Sequence, residues 1–361
     1  MARETDERPE WPAPRQTVRL VGHGGAKATF RHAFRSGRMS HAWLITGAEG
    51  IGKATFAFWA ARLVLGAGEP GLFGQGSAED DPSSGLFRKV AAGGHPDFMT
   101  LERAADPKSG KKRTEIVVDD VRDVSAFLHM TPAESSWRVV VVDTADEMNR
   151  NAANALLKIL EEPPTRSVLM LVSNAPGALP ATIRSRCRRL SLAPLAPGEV
   201  ETVLRSCLPE AEPEEIAALV RLAEGSPGRA LRLAAEGGLD VYRDVLALIG
   251  TLPRLDAVAL HKFGDRLARS GGEQGFKTAM DLLSRFLVRL VRFGAQGSAQ
   301  AGVTEGEEAL MRRLSAKARL DQWVEVWEKI NRLAARADRV NLDRKQVVLS
   351  AFFALEQAAR V

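Results

Sequence analysis

The stretch Gly47–Thr55, with the sequence GAEGIGKAT, decides the fold of this chain. It follows the phosphate-loop pattern G-x-x-x-x-G-K-[ST] as far as Lys53 and then departs from it. Ala54 stands where a hydroxyl would hold a magnesium ion, and Thr55 should point about 100° away from that position on a helix, which makes it a poor substitute. The stretch therefore predicts a loop that cradles phosphate through backbone N–H groups, with altered chemistry at the metal.

The segments on both sides of the loop supply the context that a phosphate loop needs. His41–Gly47 is a short apolar run that ends on glycine, as a buried strand entering a turn does, and Lys53–Leu65 has apolar residues at helical spacing. Trp137–Asp143 and Ser167–Asn174 are further apolar runs typical of buried strands, and the helical pattern NAANALLKILEE lies between them. Strands that alternate with helices predict an α/β fold with a parallel sheet covered on both faces.

The composition limits the setting and the classes of partner. The 361 residues carry a net charge of +5, which permits contact with nucleic acid without arguing strongly for it. The chain has no run of about 18 apolar residues that would predict a membrane helix, and the polar leader at 1–17 lacks the apolar core of a signal peptide. Two cysteines, Cys187 and Cys207, cannot build a disulfide framework, so a reduced, cytoplasmic setting is expected.

A second position in the predicted site is altered as well. Asp143 ends an apolar strand and is placed to serve a magnesium ion, unless it merely ends that strand. The next residue, where a glutamate would activate water, is Thr144. A shift of register would nominate Asp146 or Glu147 instead, but both lie beyond the predicted strand edge. Two alterations in one site, Ala54 and Thr144, favour weak or absent hydrolysis over an active ATPase with one substituted residue.

Six motifs, in this order and spacing, resemble the clamp-loader branch of the AAA+ ATPases: GAEGIGK, VVVVDTAD, NALLKILEEPP, SNAP, TIRSRC and GSPGRAL. They cover residues 18–235, and the C-terminal third matches only in its helical character. The resemblance implies a RecA-like parallel-sheet domain, a small helical lid domain and an all-α collar domain. The expected divisions are a mobile leader at 1–17, the nucleotide-binding-type α/β domain at 18–193, the lid at 194–240 and the oligomerisation collar at 241–361.

The SRC motif contains Arg186, and the resemblance implies that this arginine reaches across a subunit interface to ATP held by a neighbour. A guanidinium fork stabilises charge on a transferring phosphoryl group, so such a residue acts as an arginine finger in trans. On the residues alone, Arg186 fits equally well as a surface arginine in a basic cluster with Arg184, Arg188 and Arg189.

The resemblance also implies two sensor residues near the nucleotide. Asn174 ends its strand at the polar sensor position, and Arg229 follows GSPG at the second sensor position. Without the resemblance, the first is an ordinary turn residue and the second a solvated helix residue. The complete nucleotide-binding set predicted from the sequence is Gly47, Gly50, Gly52, Lys53, Thr55, Asp143, Asn174 and Arg229.

The segment Gly66–Gly94 departs from the pattern of many relatives, which carry a four-cysteine zinc module after the phosphate-loop helix. Here the segment is rich in glycine, serine and acids, contains no cysteine and is predicted to be a loop or insertion. We therefore expect no zinc and no other bound metal. ATP is the candidate cofactor. The sequence leaves ATP binding open, and hydrolysis of ATP by this chain is not expected.

Three functions are compatible with these residues. The leading one is a subunit of the DNA polymerase III holoenzyme with little or no hydrolysis of its own, which helps to load the sliding clamp on primed DNA. The resemblance then implies a hetero-oligomer with gamma/tau and delta clamp-loader subunits, contact with the clamp and with primer–template DNA independently of sequence, and no membrane. The second is a catalytically active gamma/tau-like AAA+ ATPase. The third is a module that holds nucleotide as a structural or regulatory ligand.

Overall fold

Two compact units make up the chain in a computed structural model, which describes residues 11–66, 80–104, 113–269, 273–296, 302–340 and 342–360. The first unit comprises Met1–Pro209 and Glu224–Arg229, and the second comprises Glu210–Ala223 and Ala230–Val361. The expected division into leader, α/β, lid and collar segments stays a prediction.

The first unit is built on a five-stranded parallel sheet. Its strands are β1 (Ala42–Thr46), β2 (Phe98–Leu101), β3 (Arg138–Val142), β4 (Ser167–Ser173) and β5 (Arg188–Ser191). Their order across the sheet is β2-β3-β4-β1-β5, and each neighbouring pair is parallel. Every residue of β1, β3 and β4 is buried, which agrees with their continuous apolar sequences. The predicted α/β class is thereby confirmed.

The helices of the first unit lie before, between and after the strands along the chain. They are α1 (Gly24–Arg35), α2 (Lys53–Leu65), α3 (Gly85–Ala92), α4 (Val118–His129), α5 (Arg150–Glu161), α6 (Ala181–Arg186) and α7 (Pro197–Cys207). Two further helices are α8 (Pro213–Ala223), which lies in the second unit, and α9 (Pro227–Ala235), which has residues in both units.

Apolar side chains cover the sheet on both faces. One cluster joins residues of β1, β3 and β4 to residues of α4 and α5, such as Val124 and Leu156. Aromatic rings of α1, β1 and α2 form another packed group, in which Phe30 lies 4.9 Å from Trp43 between ring centroids and Phe56 lies 5.3 Å from Trp59. Burial of this apolar area is the main stabilising contribution, and it holds the carboxyl ends of the strands at one edge.

One local expectation differs from the structure. The segment Gly66–Gly94, predicted as a loop, contains α3, which begins where the Ser84 hydroxyl accepts a hydrogen bond from Phe87 N at 3.0 Å; residues 67–79 lie outside the described part of the chain. At the start of α4, the carboxylate of Asp120 accepts a hydrogen bond from Val117 N at 2.9 Å.

Within its described residues, the second unit contains helices and turns and includes no β-strand. Besides α8 and the end of α9, it contains α10 (Gly238–Gly250), α11 (Ala257–Arg269), α12 (Glu273–Gln296), α13 (Glu307–Lys317), α14 (Leu320–Val340) and α15 (Arg344–Ala359). Helix α12 packs on α14, and α14 packs on α15. The expectation of an all-α C-terminal region is confirmed. Among the helices that the structure describes, none combines the length and the apolar character needed to cross a membrane.

A buried polar network ties three helices of the second unit together. The hydroxyl of Tyr242 on α10 donates to Glu307 Oε1 at 2.6 Å, and Arg289 on α12 donates to the same oxygen at 2.9 Å. Glu307 also accepts a hydrogen bond from Val303 N at 2.6 Å. Burial raises the pKa of the Tyr242 hydroxyl far above its usual range, so it stays protonated and donates.

Candidate functional site

The glycine loop joins the end of β1 to the start of α2, so the predicted strand–loop–helix arrangement is confirmed. Gly47 adopts a φ of 150° and Gly50 a φ of 76°, backbone conformations that favour glycine. A Cβ atom at Gly50 would lie 2.5 Å from the Ser226 hydroxyl oxygen. The glycines therefore permit both the turn and the close approach of a second segment.

The ammonium group of Lys53 is bonded to its own loop. Its Nζ donates to the carbonyl oxygen of Gly47 at 2.9 Å and to that of Ala48 at 2.6 Å, and the residue is only 4% exposed. Burial lowers the pKa of Lys53, while the negative charges of Asp146, Glu49 and Asp143 oppose that shift. The cation that a phosphate loop offers to phosphate oxygens is thus held by two carbonyl dipoles.

A segment that is distant in sequence binds the next two carbonyl groups of the loop. The hydroxyl of Ser226 donates to the carbonyl oxygen of Glu49 at 2.8 Å, and Gly228 N donates to that of Gly50 at 2.9 Å. The preceding Gly225 adopts a φ of 83°, which lets the chain turn towards the loop. The segment Glu224–Arg229 belongs to the same compact unit as the loop, so it fixes the loop locally.

His23 binds the following carbonyl group, that of Ile51. Its Nε2 donates to Ile51 O at 2.8 Å. Burial lowers the pKa of His23, although the bond to Ile51 and the charge of Glu199 act in the opposite direction. His23 also lines a cavity of ≈ 400 Å³ together with Ala26, Leu192 and Glu199. No local sequence pattern indicates this role of His23, because the bond depends on the tertiary approach of the imidazole to a carbonyl group 28 residues away.

The five consecutive carbonyl oxygens from residue 47 to residue 51 are therefore all occupied by donors of the chain itself. Ala54 and Thr55 lie in the first turn of α2, where backbone N–H groups have no partner within the helix. The loop is held through its carbonyl groups, while the N–H groups at the helix start keep the orientation that phosphate oxygens prefer.

The acidic side of the site contains Asp146 as well as Asp143. Asp143 follows β3 directly, and Thr144 after it adopts a left-handed conformation with φ 59°. Asp146, set aside in the sequence analysis as lying beyond the strand, accepts a hydrogen bond through Oδ1 from Asn174 N at 3.0 Å. Asp146 is also the carboxylate that raises the pKa of Lys53 most strongly. The short 3₁₀ turn Ala145–Glu147 folds back and brings this carboxylate to the sheet edge.

The two predicted sensor residues lie in different surroundings. Asn174 follows Ser173, whose Cα pairs in register with Thr46 just before the loop, and its side chain is exposed. Arg229 is largely buried, with 15% of its side chain exposed, and its Nη1 lies 4.0 Å from Glu224 Oε2. The parallel register thus brings Asn174 to the loop end of the sheet.

Arg186, the predicted finger, is the last residue of α6 and 37% of its side chain is exposed. Its Nη2 lies 2.9 Å from Glu161 Oε1, and its Nη1 donates to Thr182 O at 3.1 Å. Next to it, burial raises the pKa of the Cys187 thiol to about 12, so this cysteine stays protonated.

The neighbouring arginines of the basic cluster serve the fold. Arg184 donates to Leu179 O at 2.8 Å, Arg188 lies over the ring of Trp43 at 4.7 Å, and Arg189 donates to the Thr46 hydroxyl at 3.4 Å. Arg186 differs from these three because its charged partner is a surface carboxylate.

The parallel sheet in the order 2-3-4-1-5, with a glycine loop, a lysine at the start of the following helix and a polar residue ending the adjacent strand, defines a phosphate-loop module of the AAA+ type. Residues 22–196 match the family described as DNA polymerase III, delta subunit. The chain is 39% identical to DNA polymerase III subunit delta' of Pseudomonas aeruginosa over 201 residues, which is 55% of this chain and 57% of that protein. These matches confirm the predicted resemblance to clamp-loader proteins, and the chain resembles in particular the delta-prime subunit of bacterial DNA polymerase III.

Two more distant relatives complete the comparison. The chain is 30% identical to DNA polymerase III subunit tau of Escherichia coli over 256 residues, which is 68% of this chain and 38% of that protein. A solved DNA polymerase III gamma-subunit-related protein of Thermotoga maritima aligns with a TM-score of 0.42 at 18% identity, over 93% of this chain and 99% of that one. The chain spans about half the length of the curated relatives it matches.

Proposed function

We propose that this chain is a clamp-loader subunit of the replicative DNA polymerase that hydrolyses ATP weakly or not at all. In this role it places Arg186 in the ATP site of a neighbouring ATPase subunit and helps to load the sliding clamp on primed DNA. The observation that carries the proposal is the contrast between two cations. Lys53 is buried and bonded to its own loop, whereas Arg186 is at the surface beside a carboxylate.

The chain's own site is poorly equipped for hydrolysis. Ala54 offers no hydroxyl to magnesium, and Thr144 stands where a glutamate would activate water. A nucleotide would also have to replace both carbonyl partners of Lys53. We propose that the following residues form a remnant nucleotide site in which ATP binding is left open: Gly47, Gly50, Gly52, Lys53, Thr55, Asp143, Asn174 and Arg229.

The proposed partners extend what the relatives' names say. They are gamma/tau and delta subunits, the clamp, and primer–template DNA contacted through its phosphates. The assembly would be a cytoplasmic hetero-oligomer without zinc in this chain. In this proposal residues 18–193 form the nucleotide-binding-type domain, 194–240 the lid and 241–361 the collar that holds the subunits together.

A catalytically active gamma/tau-like ATPase is the second candidate. The retention of Lys53 and Asp143 favours it, as does the position of Asp146, whose charge acts on Lys53. The similarity to the tau subunit supports the same candidate. Turnover of ATP by the isolated chain separates it from the leading proposal.

The test is ATP turnover in an assembly of the full chain with motor and delta subunits, clamp and primed DNA. In the motor subunits, the arginine of the SRC motif is replaced by alanine. Only the ATP site that this chain completes then retains an arginine finger. We expect Arg186→Ala to lower turnover at that site by about 10³- to 10⁵-fold, the range known for arginine fingers. Arg205→Ala is the matched control, because Arg205 also forms a surface pair with a glutamate, Glu201, at 2.7 Å.

Two results would contradict the proposal. Turnover by the isolated wild-type chain would favour the active ATPase. Equal turnover in assemblies with wild-type chain and with Arg186→Ala would exclude the arginine finger. Size-exclusion chromatography of both assemblies establishes that the substitution leaves the subunits associated.

A further inference from the structure

The ion pair between Arg186 and Glu161 links the ends of two helices. Glu161 is the last residue of α5 and Arg186 the last residue of α6, and both belong to the first compact unit. The carboxylate of Glu161 is half exposed and lies 2.9 Å from Nη2 of Arg186. On the other terminal nitrogen, Nη1 donates to the carbonyl oxygen of Thr182. The guanidinium group is therefore anchored at both of its terminal nitrogens.

These two contacts leave part of the guanidinium group available. An arginine has five N–H donors in a planar fork; the hydrogen bond to Thr182 uses one of them, and Glu161 lies beside Nη2 as an ion pair. Within the described part of the chain, the donors that these two contacts do not engage remain for an outside ligand. A planar group held at two atoms has a defined orientation, so the remaining donors point in a fixed direction.

A fixed direction matters for a group that acts on a transferring phosphoryl. Catalytic groups must lie close to the productive geometry, and packing or hydrogen bonds from supporting residues hold them there. Arg186 has no buried surroundings that could do this, because more than a third of its side chain is exposed. Its orientation therefore depends on the two anchors, of which only Glu161 is a side chain.

We propose that Glu161 is the positioning residue of Arg186: its carboxylate orients the guanidinium group before a phosphate of a neighbouring subunit arrives. The inference rests on the proposed function of Arg186 in trans. Glu161 itself touches no nucleotide in this arrangement and acts only through the arginine. The adjacent Glu162 is also exposed and caps the end of α5, so it offers a matched control at the next position.

The experiment measures kcat and KM for ATP in the full assembly described above, with saturating amounts of this chain. The variants are Glu161→Ala, Glu161→Gln and Glu162→Ala, each with Arg186 and with Arg186→Ala. Exposed ion pairs contribute 0.2–1 kcal/mol, so Glu161→Ala should lower kcat about 1.4- to 5-fold at 1.36 kcal/mol per factor of ten. KM should stay constant, because the interaction acts on the transition state.

Three further results are expected. Glu161→Gln should recover part of the loss, since its amide oxygen places an acceptor beside Nη2 without the negative charge. Glu162→Ala should match the wild type. In the presence of Arg186→Ala, Glu161→Ala should cause no additional loss, because a residue that acts through the arginine has nothing left to position.

Other outcomes overturn the inference in recognisable ways. If Arg186→Ala lowers turnover while Glu161→Ala leaves or raises it, the positioning role fails and the proposed function stands. If Glu161→Ala lowers turnover equally with and without Arg186, Glu161 acts elsewhere. If only the amount of chain needed for half-saturation of the assembly changes, Glu161 is an interface contact. If Arg186→Ala itself has no effect, the proposed function fails first.

Discussion

The hydroxyl of Ser226 donates a hydrogen bond to the carbonyl oxygen of Glu49 at 2.8 Å, although the two residues are 177 positions apart in sequence. Ser226 is buried, and Gly228 beside it binds the next carbonyl of the loop. The glycine loop is therefore packed as a structural joint between the end of β1 and the segment Glu224–Arg229. The contribution of this joint to the free energy of unfolding can therefore be measured without a nucleotide.

Gly50→Ala tests this joint. The φ of 76° costs an alanine about 1–2 kcal/mol, and the new Cβ would meet Ser226 Oγ at 2.5 Å and Arg229 N at 3.0 Å, which adds about 1–3 kcal/mol. We expect the free energy of unfolding in urea to fall by about 2–5 kcal/mol. Gly177→Ala is the control, since nothing lies within 4 Å of its new Cβ. Equal stabilities of the two variants would show that the joint has no role.

Ala54→Thr tests whether the missing hydroxyl alone prevents hydrolysis. We expect the isolated variant to turn over no ATP in the presence of magnesium, because Thr144 still occupies the position for water activation and Lys53 is still bonded to Gly47 and Ala48. Steady-state phosphate release measures this, with a motor subunit as the positive control. Turnover that appears in Ala54→Thr and disappears again in Ala54→Thr/Lys53→Met would mean that the site is intact apart from one residue.

His23→Gln should reduce the pH dependence of stability. Burial lowers the pKa of His23 below its usual value of about 6.5, so the unfolded chain takes up a proton before the folded chain does. Its effect is a loss of stability as the pH falls below about 6.5 towards the folded pKa. Glutamine keeps an N–H donor for Ile51 O but does not titrate.

Urea unfolding between pH 7.5 and 5.5 measures that dependence. The free energy of unfolding should decline less steeply for His23→Gln than for the wild type, and His32→Gln, at an exposed position of α1, the helix that follows His23, is the control. Identical slopes for His23→Gln and the wild type would contradict the assignment.

Asp97→Asn tests a buried carboxylate at the opposite end of the sheet. Asp97 accepts hydrogen bonds from the backbone N–H groups of Ala133, Glu134 and Ser135 at 2.7–2.8 Å, and Arg138 lies 3.6 Å away. Burial opposes the charge, but these donors together outweigh it and hold the pKa of Asp97 below its usual range. We expect the variant to lose about 1–3 kcal/mol at pH 7, because its amide turns a donor towards other donors.

The same variant has a defined pH signature. A lowered carboxylate pKa stabilises the folded state above the unfolded value of about 3.9 and loses that effect as the pH falls through the folded value. The difference between wild type and Asp97→Asn should therefore shrink below about pH 4. Asp119→Asn, at an exposed surface pair with Arg122, is the control. A difference that is constant with pH would exclude a role of the charge.

The part of the site that could be predicted lies in short motifs, each of which is continuous in sequence. The glycine loop, the lysine at position 53 and the strand-ending residues Asp143 and Asn174 could be located because strand and helix periodicity shows where each strand ends. The role of Asp146 could not be predicted in this way, because it depends on a 3₁₀ turn that folds back towards β4. Likewise, the helix within Gly66–Gly94 was hidden by its loop-like composition.

The sequence by itself determined the parallel α/β sheet, the helical C-terminal region and the family resemblance, because hydrophobic periodicity and motif spacing are local properties of the chain. Only the tertiary structure decided how the loop is occupied: Lys53 turned onto carbonyl groups, with His23 and Ser226 on the carbonyls that follow. It also decided that Glu161 is the partner of Arg186. Hydrogen bonds and ion pairs depend on distances of a few ångströms between residues that the fold, rather than the sequence order, brings together.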